Sequence, residues 1–210
     1  GLYGAEIWGH MKLTGRKLQD DFWMEKMYAN YPAEKLNISF SKYILGVNKR
    51  TTNTAVMGEL GRYPLGINII ISMLKYYTHL IGSPNILLQG AQKEAVKLHE
   101  GGEETFISFI VRCCKKLNVN LREMNTTQGI QNIKNKLKES YVKYWETQIG
   151  TNMNSEGKLC TYRQIKTKFI YENYLNHVTR KDHRVALTQL RVSAHKLEIE
   201  KGRHLRPITP

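Results

Sequence analysis

Residues 41–65 read SKYILGVNKRTTNTAVMGELGRYPL and carry most of the signals that decide the fold. An apolar stripe at helical spacing precedes the polar residues 48–50 and consists of Phe40, Tyr43, Ile44 and Val47. This spacing predicts a helix, followed by a charged corner. On residue pattern alone, the stretch is typical of a helix-turn-helix packing unit.

A second, short helix is predicted after the corner. Its first turn can be capped by Thr51, Thr52 or Asn53, because their side-chain oxygens accept unpaired backbone N–H groups. Its apolar residues are Ala55, Val56 and Leu60. Gly61 can take the left-handed conformation that is common at helix ends, and Pro64 stands where the next helix can begin.

The remaining patterns predict a mostly α-helical fold. Four further helices have clear apolar faces. The first covers residues 64–81, with Ile67, Ile70, Ile71, Leu74 and Leu80, and the second covers residues 85–100, with Leu87, Leu88, Ala91, Ala95 and Leu98. The third begins after residue 105, with Phe106, Phe109, Ile110 and Cys113, and the fourth is a basic amphipathic helix with Ile130, Ile133, Leu137, Tyr141, Tyr144 and Trp145. Shorter helices are predicted around 162–169, 172–178 and 180–192, and residues 20–31 carry a stripe with Trp23 and Met27. The polar residues 118–127 suggest a boundary, which divides the chain into 1–118 and 119–210.

The chain carries a formal net charge of +14, which favours polyanionic partners: nucleic acid first, acidic membrane surfaces second. The charge is uneven. Residues 1–111 hold 12 Lys/Arg against 10 Asp/Glu, whereas residues 112–210 hold 20 against 8. The basic character therefore belongs to the second half, which we interpret as a separate functional region.

Several classes of protein are disfavoured by the motifs. The three cysteines, two of them adjacent, suggest reduced thiols in an intracellular protein. The longest apolar run is too short to span a bilayer. Metalloprotease, phosphate-loop and nucleophile-elbow motifs are lacking in the sequence, so we expect neither an enzyme nor a metal site. A first residue other than methionine suggests a fragment.

The basic residues near the end of the chain are the principal candidates for contact with nucleic acid. Arginine suits phosphates because its planar fork makes paired, charge-assisted hydrogen bonds. The candidates are Lys166, Arg184, Arg191, His195, Lys196, Lys201, Arg203, His204 and Arg206. A solvated basic face is the alternative. Aromatic residues among these lysines either stack on unpaired bases or fill a core, and the helical spacing of Tyr141, Tyr144 and Trp145 favours core.

Three blocks of the sequence resemble LINE-type (non-LTR) retrotransposon reverse transcriptases. The central stretch is similar to their K-x-x-L-G-V-x-(K/R)-x-(T/S)-x-N and G-E-L-G-R-x-P-L blocks. The opening LYGAEIWG is similar to their passage from palm to thumb. The final ALTQLRVSAHKLEIEKGRHLRPITP resembles their LT-x-x-R-x-(S/G)-x-H-x-L-x-I-E-x-G-R-x-x-R-P block, which a zinc cluster commonly follows.

This resemblance implies a helical, thumb-like part over 1–118 and a basic helical linker over 119–210. It implies work on element RNA and target or primer DNA during target-primed reverse transcription, in the nucleus and cytoplasm. Lys49, Arg50 and Arg62 flank the helix ends where a thumb approaches a duplex. The catalytic magnesium would belong to the palm, so no cofactor is expected here. Alternatives are a recruited or decayed remnant that binds proteins and, from charge alone, a membrane-binding helical protein.

Overall fold

The structure is a computed structural model and describes residues 32–103, 105–120, 127–150 and 159–194. These residues form nine α-helices and no strand, and 74% of them are helical, so the predicted mostly-α class is confirmed. The helices are α1 Pro32–Leu45, α2 Asn53–Glu59, α3 Leu65–Gly82, α4 Ile86–Glu100, α5 Phe106–Lys116, α6 Thr127–Gly150, α7 Cys160–Ile165, α8 Tyr174–His177 and α9 Lys181–Arg191.

The chain forms two compact units that are discontinuous in sequence. Unit 1 comprises Gly1–Leu36 and Tyr63–Tyr144, and unit 2 comprises Asn37–Arg62 and Trp145–Pro210. This division differs from the single boundary near residue 118 that the sequence suggested. The reason lies in α6, whose Tyr141 packs against Tyr63 of unit 1, whereas its Trp145 donates a hydrogen bond to the Thr54 carbonyl of unit 2.

Unit 1 is built around α3, which packs against α4 and α5. The predicted inward residues of α3 are all buried, and Ile69 and Met73 join them. The helix begins at Leu65, directly after Pro64, as the sequence indicated. Its first backbone N–H is capped by a residue 31 positions away in sequence, because Leu65 donates to the carboxylate of Glu34 at 2.6 Å. A carboxylate at this position also complements the positive end of the helix dipole.

Helix α4 differs from its prediction. The sequence indicated an inward face that includes Leu87, Ala91 and Leu98, yet none of the helix's residues is buried. Ile86 and Leu87 are 83% and 81% exposed. The prediction holds in part, because Leu88 and Ala95 are half-buried, as is His99, whose ring lies 2.9 Å from the Ser108 hydroxyl. Periodicity indicates which residues share a face, but not whether another element covers it.

Helix α5 begins with a capping box in which Thr105 and Ser108 each accept from the other's backbone N–H. Its buried face includes Phe109, Ile110 and the two adjacent cysteines, as predicted for Cys113. Burial raises the pKa of the Cys113 thiol, and it raises that of Cys114 to about 11. We therefore expect both thiols to react slowly in the folded chain.

A Cys160→Ser variant, in which Cys113 and Cys114 are the remaining thiols, will react with a thiol reagent at pH 8 at least about 100-fold more slowly than a free cysteine. The reason is that the thiolate is the reactive form, and a pKa near 11 rather than near 9 removes about that share of it. Stopped-flow labelling with a chromogenic disulfide measures this rate. In urea the rate should rise to that of a free thiol. Fast labelling of the native chain would show that the α5 face is open.

Unit 2 is built around α2 and the residues that follow it. Leu45, Val56, Leu60 and Leu175 form its apolar cluster, with Val47 and Tyr174 packed against it. Helix α2 begins after Thr52, but the predicted side-chain cap is not made. It ends at Gly61, as predicted. Gly61 has a φ of +54°, and the Arg62 N–H donates to the Met57 carbonyl. This pattern is a Schellman motif, which satisfies the last carbonyls of the helix.

Helix α1 also differs from its prediction. Glu34, Ser41 and Leu45, spaced seven and four residues apart, are buried. The predicted stripe lies on another side, where Phe40 and Tyr43 are 55% and 79% exposed. Polar residues are buried here because each has a partner: Glu34 accepts from Leu65, and the Ser41 hydroxyl donates to the Asn37 carbonyl. Such bonds offset the cost of burial, and the aromatic stripe is left in contact with solvent.

Candidate nucleic-acid interface

The charged corner after α1 has a fixed shape. Gly46 adopts a φ of +65°, and the N–H of Val47 donates to the Lys42 carbonyl, which closes a second Schellman motif. The Lys42 ammonium then donates to the carbonyl of Lys49 at 2.8 Å. Asn48 supports the turn by accepting from the Arg50 N–H. Residues 46–50 are therefore held as a defined loop.

This corner packs against α9, which is far from it in sequence. A β-carbon at position 46 would lie 2.5 Å from a methyl group of Val185, so the contact requires glycine. One helical turn further, the Gln189 side chain donates to the Gly46 carbonyl at 2.8 Å. The loop of the central block thus packs against α9, the helix in which the C-terminal block begins.

The two segments that meet at Gly46 and Val185 both carry basic residues. Lys49 and Arg50 are exposed in the loop, and Lys181 lies exposed one turn before Val185 on α9. Arg184 is half-buried and donates to the Val178 carbonyl at 3.3 Å. We call Lys49, Arg50 and Lys181 the corner cations. Lys181 was not singled out by the sequence, because only the packing of Val185 on Gly46 places it near the loop.

Arg191 has a different environment from the one its sequence context suggested. Its guanidinium is paired with the carboxylate of Glu59, which is 0% exposed: Nε lies 3.0 Å from Oε2, and Nη2 donates to Oε1 at 3.1 Å. Nη2 also lies 3.0 Å from Glu172. Burial alone would lower the pKa of Arg191, but the two carboxylates outweigh it and raise that pKa above its ordinary value.

Tyr174 and Lys166 complete this buried cluster. The Tyr174 hydroxyl donates to Glu59 at 2.7 Å and lies 2.8 Å from the Thr188 hydroxyl. Burial, with the neighbouring carboxylate, raises the pKa of Tyr174. Lys166 is buried, donates to the Ile170 carbonyl at 2.6 Å and pairs with Glu172. These groups neutralise one another in a site where Glu59 and Lys166 are buried and Arg191 and Glu172 are 16% and 20% exposed.

The structure therefore corrects the expectation that Lys166 and Arg191 present accessible charge. Both have structural partners, and we leave both out of the proposed surface. Arg62, in contrast, is exposed. It follows Gly61, whose position leaves no room for a side chain beside the backbone of Ile170 and Tyr171. The other predicted contacts, His195, Lys196, Lys201, Arg203, His204 and Arg206, lie outside the described residues.

The aromatic residues divide between core and partial exposure. The predicted core role of Tyr141 and Trp145 is confirmed by their burial. Trp145 packs edge-on against Phe169 with ring centroids 5.2 Å apart. Tyr144 is half-buried beside Tyr141. Exposed aromatic rings are found on α1, where the sequence predicted packing: Phe40 and Tyr43 are 55% and 79% exposed.

The described residues also bear on two other kinds of site. In that part of the chain, no three or more His, Cys, Asp or Glu side chains are grouped as a metal ion would need. None of the helices described is long and apolar enough to cross a bilayer. Comparison of the chain with protein-family models, with curated proteins and with solved structures found no match.

Proposed function

We propose that this chain is a non-catalytic, nucleic-acid-binding part of a LINE-type reverse transcriptase. It would hold element RNA and target or primer DNA while a separate palm, with its magnesium ions, polymerises in the nucleus or cytoplasm. The proposal starts from the resemblance of three sequence blocks. One structural observation supports it above the others: the loop of the central block and the first turns of α9 together present the corner cations.

The contacts between blocks add to this support. Glu59 belongs to the G-E-L-G-R block and Arg191 to the L-T-x-x-R block, and the two side chains pair in the interior of unit 2. The K-x-x-L-G-V block also meets the C-terminal block, because the Gln189 side chain donates to the Gly46 carbonyl. Sequence blocks that resemble one family thus contact each other in unit 2, as parts of one functional region would.

The proposed binding is electrostatic and positional. Exposed lysine and arginine side chains on a fixed loop neutralise backbone phosphates and release condensed counterions. Affinity therefore depends steeply on salt and little on sequence. Lys49 and Arg50 on the loop and Lys181 on α9 would each contact one phosphate, and Arg62 would extend the surface on unit 2.

A Lys49→Ala/Arg50→Ala/Lys181→Ala variant will bind a structured RNA and a primer–template duplex roughly 10- to 100-fold more weakly than wild type near 0.15 M salt. Each lost phosphate contact lowers the slope of log affinity against log salt by about 0.7 to 0.9, so the slope should fall by about 2 to 3. Fluorescence anisotropy over a salt series measures both quantities.

The matched control is Lys75→Ala/Lys93→Ala/Lys97→Ala, which removes the same charge from exposed positions of α3 and α4. It should change the affinity and the slope much less than the corner variant does. Equal losses in the two variants would show that net charge alone binds nucleic acid. Absence of salt-dependent binding by the wild-type chain would contradict the proposed function.

A second candidate is a protein-interaction module derived from such an element. The exposed Ile86 and Leu87 at the start of α4 favour it, since contiguous apolar residues on a surface often mark an interface. The same titrations separate the two candidates. A module of this kind would bind nucleic acid weakly, and its weak binding would not depend on the corner cations.

A further inference from the structure

The exposed face of α1 carries two aromatic rings next to the corner. Tyr43 and Phe40 are 79% and 55% exposed and stand three residues apart, which makes them neighbours on the helix surface. Ile44, at 46% exposure, adjoins them. The helix already buries another side through Glu34, Ser41 and Leu45. Since α1 is anchored by that side, the aromatic face lies largely open in the described part of the chain and can serve a ligand.

The charge around these rings selects a negative ligand. Lys35 and Lys42 lie on the same helix, and the helix leads directly to Lys49 and Arg50. The one acidic residue of α1, Glu34, is buried and accepts from Leu65. Residues 46–53 contain no acidic side chain. A polyanion with planar apolar groups complements this surface, and single-stranded nucleic acid has that chemistry.

We infer that Phe40 and Tyr43 stack on unpaired bases of a strand whose phosphates lie on Lys49 and Arg50. The ligand of the corner is then single-stranded RNA or DNA rather than a fully paired duplex. This inference rests on the proposed function, because it assigns bases to a strand that the corner cations hold. Stacking on aromatic side chains contributes roughly 1–3 kcal/mol per base and tolerates any sequence, since every base has a π face.

The geometry around the rings is fixed before a strand arrives. The Gly46 N–H donates to the Tyr43 carbonyl at 3.1 Å, and the Lys42 ammonium holds the Lys49 carbonyl. These bonds join the helix that bears the rings to the loop that bears the cations. On the protein side, binding then restricts mainly the side chains of Phe40, Tyr43, Lys49 and Arg50, which limits the entropic cost.

The test compares three fluorescent 20-nucleotide ligands with the full chain: a single strand, a blunt duplex and an abasic strand that keeps the phosphates but lacks bases. Wild type should bind the single strand about 10- to 100-fold more tightly than the abasic strand, the range expected for one or two stacked bases. A Phe40→Leu/Tyr43→Leu variant should lose most of that difference. Because leucine keeps apolar bulk, such a loss assigns the effect to the rings.

Two controls accompany the comparison of wild type with the leucine variant. Ile86→Ala/Leu87→Ala removes an apolar pair from α4 that is at least as exposed and should leave the preference for bases unchanged. Thermal unfolding of the leucine variant should match wild type, because exposed substitutions seldom change stability by more than about 0.5 kcal/mol. A marked loss of stability would show that the rings are packed, and would overturn the inference.

The remaining outcomes are distinct. Equal, salt-dependent binding of the single and abasic strands would overturn stacking and leave the proposed function intact. Preference for the duplex over the single strand would also overturn the inference alone. Failure to bind all three ligands would contradict the proposed function, and the stacking inference with it.

Discussion

Replacing Glu59 with alanine will lower the free energy of unfolding by about 3–5 kcal/mol, the range found when one partner of a buried ion pair is removed. The Glu59 carboxylate is fully buried and accepts from both Arg191 and Tyr174. Without it, Arg191 keeps its charge in a largely buried site with Glu172 as its remaining carboxylate partner, and the Tyr174 hydroxyl loses its acceptor. Urea unfolding followed by circular dichroism measures the change.

The matched control is Glu94→Ala, which removes one partner of an exposed pair with Lys97 on α4. Its effect should stay below about 1 kcal/mol, because solvent screens exposed pairs. A Glu59→Leu/Arg191→Met double variant should recover at least half of the loss, since a hydrophobic replacement of a buried pair is often tolerated. Glu172 retains Lys166 in that variant. A loss below about 1 kcal/mol for Glu59→Ala would contradict the structural role assigned to the cluster.

The Gly61→Ala variant will be less stable than wild type by about 3 kcal/mol. Two costs combine at this position. A side chain at a φ of +54° costs about 1–2 kcal/mol, and overpacking costs a further 1–3 kcal/mol. The overpacking is severe because the added β-carbon would lie 2.7 Å from the carbonyl carbon of Ile170, and backbone cannot rotate aside. Thermal unfolding of purified variants measures the sum.

Gly102 separates the two costs. It has a φ of +87°, yet a β-carbon there meets no atom within 4 Å. The Gly102→Ala variant therefore reports the backbone cost alone, about 1–2 kcal/mol. Similar losses in the two variants would show that segment 170–171 can move away from Gly61, contrary to the packing described for unit 2.

Local patterns predicted the positions of the helices well, because helix ends depend on nearby residues. Gly61 ends α2 in the left-handed conformation, and α3 starts directly after Pro64. Both signals act within a few residues of chain. The same holds for α5, which begins at the Thr105 cap next to its apolar face. Such features need no knowledge of distant contacts.

The burial of α1 could not be predicted in this way. Its apolar residues suggested that Phe40 and Tyr43 would pack, but the helix buries Glu34 and Ser41 instead. The Glu34 carboxylate has its partner at Leu65, 31 positions away in sequence. A hydrogen bond between residues so far apart in sequence changes which face of α1 is buried, compared with the face that hydrophobic spacing alone would select.

The sequence by itself determined that the chain is mostly helical, where α2, α3 and α5 begin or end, and that positive charge dominates its second half. Tertiary structure decided which of those charges are available. Lys166 and Arg191 are neutralised by Glu172 and Glu59, whereas Lys49, Arg50 and Lys181 remain exposed. The physical reason is that a helix end is a local balance of backbone hydrogen bonds. Whether a charged side chain stays exposed depends instead on its partners, which folding can bring from up to 132 residues away.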